Sequence, residues 1–227
     1  MQTEKIAALQ AFLAKPELEK ALPRIPLGHA AADLCLRGGV EQGYLHEVFS
    51  AMGHEAAATG FAAGFAARVS ANKHLLWITQ DFSAREFGAL SPTGLLELGH
   101  DPSKILLLCV SNADDALRAA NDALTCAAFG AVVVEITGQP KALNMTASRR
   151  LTLVCAQSRV SLVLLRFGAE PSFNTAETRW RVSAASSTGE VWGRPVFQAE
   201  LLRNRRGQTG EWVMEWSGHE RIFKEPE

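Results

Sequence analysis

The chain of 227 residues has little with which to hold a metal, build a disulfide framework or cross a bilayer. Its four cysteines, Cys35, Cys109, Cys126 and Cys155, are widely spaced, and no CxxC or Cys/His ligand pair occurs. Metal binding is therefore not expected, and each cysteine, set among apolar neighbours, reads as a buried reduced thiol packing as a small hydrophobe. The longest strongly apolar runs are "ILLLCV" (Ile105–Val110) and "AVVV" (Ala131–Val134). Both fall far short of the ~20 residues of a membrane-spanning helix. The amino terminus mixes acids with lysines and lacks a signal-peptide apolar core, so a cytoplasmic location is expected. An excess of one charge is missing too: the net charge is −1, with 47% hydrophobic and 21% charged residues. That balance is ordinary for a globular protein, and the length suits one domain better than two. The histidines (29, 46, 54, 74, 100 and 219) are scattered, with no nucleophile–His–acid set at a motif spacing.

What is present is unevenly placed. Residues 141–227 hold 13 Lys/Arg against 9 Asp/Glu, whereas residues 1–140 hold 10 against 15. Eleven of the 13 are arginine, whose planar fork suits phosphate and carboxylate recognition. The stretch "LHEVFSAMGHEAAATGF" (Leu45–Phe61) runs from a hydrophobic strand through a turn into an Ala-rich helix. This is the setting of a phosphate-binding loop, G-x-x-x-x-G-K-[ST]. Laid over that pattern, Ser50 and Glu55 replace the two glycines, Ala56 the lysine and Ala57 the hydroxyl residue, with Gly53 inside the loop. Ala56 and Ala57 supply neither the charge nor the magnesium ligand, and Glu55 sets a carboxylate where phosphates would lie. Nucleotide binding is not expected. Glu135, ending "AVVVE", stands where a P-loop enzyme carries its magnesium-organising acid. Without Lys and Ser/Thr, it reads as a strand-end acid bonded to a loop.

Periodicity supplies the remaining elements. Ile6, Leu9, Phe12 and Leu13 lie at helical spacing before Pro16, giving a short amphipathic helix. Strands are expected at Leu45–Phe49, His74–Thr79, Ile105–Val110, Ala131–Ile136 and Ser161–Arg166. Helices are expected near residues 53–71, 85–98, 113–129 and 147–159. This alternation indicates an α/β fold with a mostly parallel sheet covered on both faces. Past residue 168, "ETRWRVSA", "RPVFQAELLR" and "GEWVMEW" alternate like antiparallel strands, with "NRRGQTG" as a hairpin loop. "SGHERIFKEPE" reads as a loosely ordered tail. The expected organisation is an amino-terminal helix (1–20), a core with the degenerate loop (21–185), and a carboxy-terminal hairpin and tail (186–227).

This order of elements resembles the RecA core. Three features, "GGVEQGYLHEVF", "TASRRLTLV" (Thr146–Val154) and "AETRWRV" (Ala176–Val182), are together similar to the ImuA family. These are RecA-like accessory proteins of bacterial mutagenesis cassettes. The resemblance covers roughly residues 20–216. It implies a RecA-like core whose P-loop has been dismantled and a non-catalytic role without cofactor in SOS-induced translesion DNA synthesis. It also implies contact with an ImuB-like polymerase homologue and an error-prone polymerase subunit, with RecA as a further partner. A weaker similarity, to SulA-like inhibitors of a tubulin-like division protein, would leave the "TASRRL" helix and the hairpin unexplained.

Several surfaces are then candidates. Arg149 and Arg150, early in a helix whose buried stripe is Leu151, Val154 and Cys155, and Arg166, Arg179 and Arg181 are candidates for DNA. They lie where RecA-like sheets meet their DNA-binding loops. The loop 167–177 carries Phe173 but only acidic charges, so weak DNA contact and none stay open as alternatives there. Ile6, Leu9, Phe12 and Leu13 are candidates for self-association. Arg203, Arg205 and Arg206 at the hairpin tip, with Trp216, Ile222 and Phe223, are candidates for the partner contact. Trp212 is expected to cap the sheet and Trp216 to face a partner.

Overall fold

In the computed structural model, the protein is described over residues 24–187 and 194–226. The expected helix bearing Ile6, Leu9, Phe12 and Leu13 lies outside these residues. A two-stranded ribbon, β1 (Arg24–Ile25) with β2 (Val40–Glu41), brackets the short helix α1 (Ala30–Cys35). Then follow β3 (Leu45–Ser50), α2 (Glu55–Val69), β4 (His74–Gln80), α3 (Asp81–Phe87) and α4 (Pro92–Glu97). The chain continues through β5 (Ile105–Val110), α5 (Ala113–Ala123), β6 (Phe129–Thr137), α6 (Met145–Ser158) and β7 (Ser161–Phe167). It closes with β8 (Thr178–Ala184), β9 (Val196–Asn204), β10 (Gly210–Ser217) and β11 (Ile222–Lys224).

The main sheet has nine strands in the order β11-β10-β9-β8-β3-β7-β6-β4-β5. Pairing is parallel from β8 through β3, β7, β6 and β4 to β5, and antiparallel from β8 out to β11. The protein is thus α/β, with a mostly parallel sheet, flanking helices and an antiparallel carboxy-terminal extension, as a RecA-like core requires. The central strands read as near-continuous apolar runs because both of their faces are covered. One face packs α2 against Val48, Trp77, Val133, Leu165 and Trp180. The other packs α5 and α6 against Leu45, Ile78, Val134, Ile136 and Leu164.

The expected helix across residues 85–98 is two helices. Gly88 adopts φ +91, and Ser91 caps a new helix start with its hydroxyl accepting from Gly94 N–H, ahead of Pro92. The helix expected to reach residue 129 ends at Ala123, since Phe129 already pairs with His74 in the sheet.

The carboxy-terminal end departs most from expectation. It is no loose tail: Arg221 N–H donates to Ser217 O at 2.7 Å, turning β11 back onto β10. Phe223 N–H donates to Leu27 O at 2.9 Å. Trp216 and Phe223, expected at a surface, are 1% and 0% exposed, and their rings pack 4.8 Å apart. They lie over α2 at Gly64, where an added Cβ would come within 2.8 Å of Trp216 and 2.9 Å of Phe223. Trp212, expected as the cap, is the half-buried member of the pair, and Ile222 is half-buried too. The thiols also divide: Cys155 is buried, Cys35 intermediate, and Cys109 and Cys126 exposed. Cys109 is exposed because β5 is the sheet edge, which also leaves Leu106 and Leu107 at 60% and 46% exposure.

Candidate functional site

The strand β3 delivers its last residue, Ser50, into the turn 51–54, and α2 begins at Glu55. Gly53 takes φ +76. The loop is held by bonds that need no phosphate. Ala51 N–H donates to Val182 O at 2.9 Å, and Ala184 N–H donates to His54 Nδ1 at 3.1 Å, both fastening it to β8. Gly53 N–H donates to Glu55 Oε1 at 3.3 Å, so the carboxylate occupies a donor that a phosphate-binding loop would offer its ligand. A carboxylate here also complements the positive end of the α2 dipole. Ala56 is exposed and Ala57 half-buried, and the nearby Thr59 hydroxyl is spent on Glu55 O at 2.9 Å. These residues do not fit a magnesium nucleotide.

Glu135 is 7% exposed. Trp77 Nε1 donates to its Oε1 at 2.7 Å, and the Thr79 hydroxyl donates to Oε2. Its partners therefore stand on the neighbouring strand β4 rather than on a loop. The parallel register sets Trp77 opposite Val133, which brings both donors beside Glu135. Burial pushes the Glu135 carboxyl above the ordinary range, against the pull of those two bonds. Asp81 opens α3, and Glu86 is exposed on it. Beside Glu135 lies a cleft of about 340 Å³ between α2 and the α3–α4 connection, with Ala56, Ala63, Leu95 and Phe167 in its walls.

The arginines separate into buried and exposed sets. Arg166 and Arg179, expected near DNA, are buried at 1% and 7% exposure. They converge on Glu47, itself 0% exposed, at 3.4 and 2.8 Å. Parallel pairing of β3 with β7 and β8 sets Glu47 directly opposite Arg179 and Phe49 opposite Arg166. Both guanidinium groups lie within 6 Å of the Phe49 ring, at 5.6 and 5.9 Å. Arg166 also donates to Gly138 O at 2.8 Å, and Arg179 donates to Ser172 O at 2.7 Å and Asn174 Oδ1 at 2.6 Å. Their work is to hold two loops onto the sheet, not to meet phosphate at a surface. Sequence reading missed this group, although a carboxylate in the middle of the buried strand "LHEVF" was the signal, because it demands a partner.

Arg181 is half-exposed and bonded to Glu200 at 3.3 Å and Glu170 at 3.7 Å. Arg149 and Arg150 are both exposed on α6, and neither makes an ion pair among the described residues. Arg150 also lines a cleft with Arg118 and Asn144 between α5 and α6. At the hairpin, Arg203 donates to Asn174 O and Arg205 to Thr175 O, at 3.1 and 3.4 Å. Arg206 pairs with Glu41 at 2.9 Å and Glu177 at 3.0 Å. Arg205 and Arg206 remain exposed and line a groove together with Leu34, Arg37 and Trp212.

His46 is fully buried, with Nδ1 2.8 Å from Thr178 Oγ1 and Nε2 3.2 Å from Glu41 O. Burial lowers its pKa to about 4. Among the described residues, no group of three or more His, Cys, Asp or Glu is placed to hold a metal ion. No helix among them is long and apolar enough to cross a membrane.

Fold and loop together define an α/β protein consistent with a RecA-like core, with Glu55, Ala56 and Ala57 at the start of α2. No protein-family model matches the chain. It is 28% identical over 213 residues to Protein ImuA of Caulobacter vibrioides strain NA1000 / CB15N, spanning 85% of this chain and 83% of that protein. Protein ImuA of strain ATCC 19089 / CIP 103742 / CB 15 gives the same figures. The chain is a distant homologue of Protein ImuA.

Proposed function

We propose that this protein is a non-catalytic, RecA-like accessory factor of SOS-induced translesion DNA synthesis. It acts by contact with an ImuB-like polymerase homologue and, through it, an error-prone polymerase subunit, with RecA as a further candidate partner. The observation that carries the reading is the loop itself. Glu55, Ala56 and Ala57 replace the nucleotide-holding groups, and Glu55 together with β8 satisfies the loop backbone. The homology to Protein ImuA supplies the context.

With Trp216 and Phe223 committed to the core, the partner surface is the groove between α1 and the β9–β10 hairpin. Leu34 is 82% exposed there beside half-buried Trp212, with Arg37 and Arg205 at the rim. Aromatic and arginine side chains around an apolar centre are the composition of interface hot spots. The test is co-purification of the full chain with the ImuB-like protein of the same organism. Leu34→Asp with Arg205→Glu should remove the contact while the melting temperature holds. Full-strength capture by that folded variant sinks the surface, and no capture by the parent chain sinks the partner.

Residues 1–18 are proposed to support self-association in trans. The motive is the amphipathic pattern of Ile6, Leu9, Phe12 and Leu13 ahead of Pro16. Light scattering should give a lower mass when these residues are deleted, and equal masses at high concentration would exclude the role.

A further inference from the structure

The cleft beside Glu135 has the chemistry of a binding site, though not of a nucleotide site. Its volume is about 340 Å³, within the lower range of small-molecule pockets. Ala63 on α2, Leu90 and Leu95 around α4, and the rings of Phe87 and Phe167 form its walls. The two rings meet 4.9 Å apart, closing one end. No lysine, arginine or histidine lines it. One acid, Glu135, stands in the lining. An anionic ligand would enter against it, without a lining cation to offset it.

Each of the two lining hydroxyls makes one local bond. The Thr59 hydroxyl donates to Glu55 O, and the Ser91 hydroxyl accepts from Gly94 N–H. Glu135 differs. Each of its oxygens accepts one bond, from Trp77 or Thr79, and a carboxyl group has about four acceptor sites. Its remaining acceptor sites can therefore receive an N–H from a ligand in this mostly apolar chamber. Mostly apolar walls with a carboxylate acceptor among them favour a ligand that is apolar in body and carries an N–H donor.

We propose that this cleft binds small aromatic amines: apolar ring systems bearing one N–H, which is received by Glu135, and carrying no negative charge. The inference stands apart from the partner reading, since it rests on the cleft alone.

The probe is N-phenyl-1-naphthylamine, an uncharged fluorescent amine, titrated into the full chain. Its comparator is 8-anilino-1-naphthalenesulfonate, the same ring system with an added sulfonate. The expected result is saturable one-to-one binding of the amine, with the sulfonate failing to displace it. Ala56→Trp at the exposed mouth, and Thr59→Phe as a second blocking variant, should each weaken binding about tenfold or more while retaining the parent circular dichroism spectrum. Glu135→Gln, which keeps shape and changes the acceptor set, should weaken it several-fold. Leu106→Glu, on the exposed edge strand, should leave it unchanged. Absence of saturable binding, parent-like affinity in both blocking variants, displacement by the sulfonate, or loss of binding in Leu106→Glu would each overturn the proposal.

Discussion

Replacing Glu47 by Gln should be among the costliest conservative changes in this protein. The substitution keeps the shape and removes one negative charge from between two buried positive ones. Glu47 is 0% exposed, and its oxygens lie 3.4 Å from Arg166 and 2.8 Å from Arg179. Removing one partner of a buried ion pair costs about 3–5 kcal/mol, because the remaining charge stays out of water. Here two charges would remain, but each keeps bonds to loop carbonyls, which favours the lower end of that range, about 3 kcal/mol. For a domain of this size that is a fall in Tm of about 6–12 °C. The control is Arg118→Gln. Its ion pair with Asp115 is 3.3 Å long with side chains 75% and 46% exposed, and surface pairs contribute about 0–1 kcal/mol. Thermal and urea unfolding by circular dichroism measures both. A Glu47→Gln variant melting within about 2 °C of the parent would refute the argument that this group anchors the sheet.

Calorimetric titration should show no saturable ATP binding tighter than about 50 μM, roughly −6 kcal/mol, with or without Mg²⁺; a tighter isotherm would restore nucleotide chemistry. Stability should decline as pH falls from about 6.5 towards 4. His46 stays neutral in the fold down to about 4, whereas in the unfolded chain it binds its proton from about 6.5. The stabilisation is therefore complete above the unfolded value and is lost progressively below it, by up to about 3 kcal/mol. His46→Gln should make that part of the unfolding-midpoint profile shallower without flattening it, because His100, also lowered to about 4 by burial, adds a like slope; an unchanged slope would place the acid sensitivity away from His46. Arg149→Glu with Arg150→Glu should abolish any salt-sensitive retention on single-stranded DNA, measured by fluorescence anisotropy at 50 and 200 mM salt; retention equal to the parent's would remove these two arginines as the contact.

The strands and the sheet class were legible because they rest on residue type and period. A strand read from "YLHEVF" and a loop with alanine where lysine belongs need no tertiary information. Depth was harder to read. Trp212 and Trp216 alternate onto one face of β10, and the period cannot say which is covered. The covering element is α2, whose Gly60 and Gly64 admit Phe197 and Trp216. Two glycines four apart in a helix are a sequence sign of close packing, but they do not name their aromatic partners, which lie more than a hundred residues away. The arginines failed differently. A strand-end arginine looks the same whether it faces a loop, a phosphate or a buried carboxylate, and only the β3–β7 and β3–β8 registers bring Arg166 and Arg179 to Glu47.

A loop built to hold phosphate is poorly satisfied without it, because its backbone donors converge on the ligand. This chain removes that dependence at three levels. Glu55 takes a loop donor, β8 takes two further loop contacts, and Trp77 and Thr79 occupy the acid that would organise magnesium. The aromatic extension then packs Phe197, Trp216 and Phe223 against α2, so the helix is fixed by burial rather than by a bound nucleotide. Burial of three such side chains contributes on the order of 5 kcal/mol or more, comparable with what a ligand at a thousand times its Kd would add. The same strands also carry the exposed Arg205 and Arg206 at the hairpin and the half-buried Trp212. One set of strands thus covers α2 with aromatic side chains and holds the hairpin arginines at the surface.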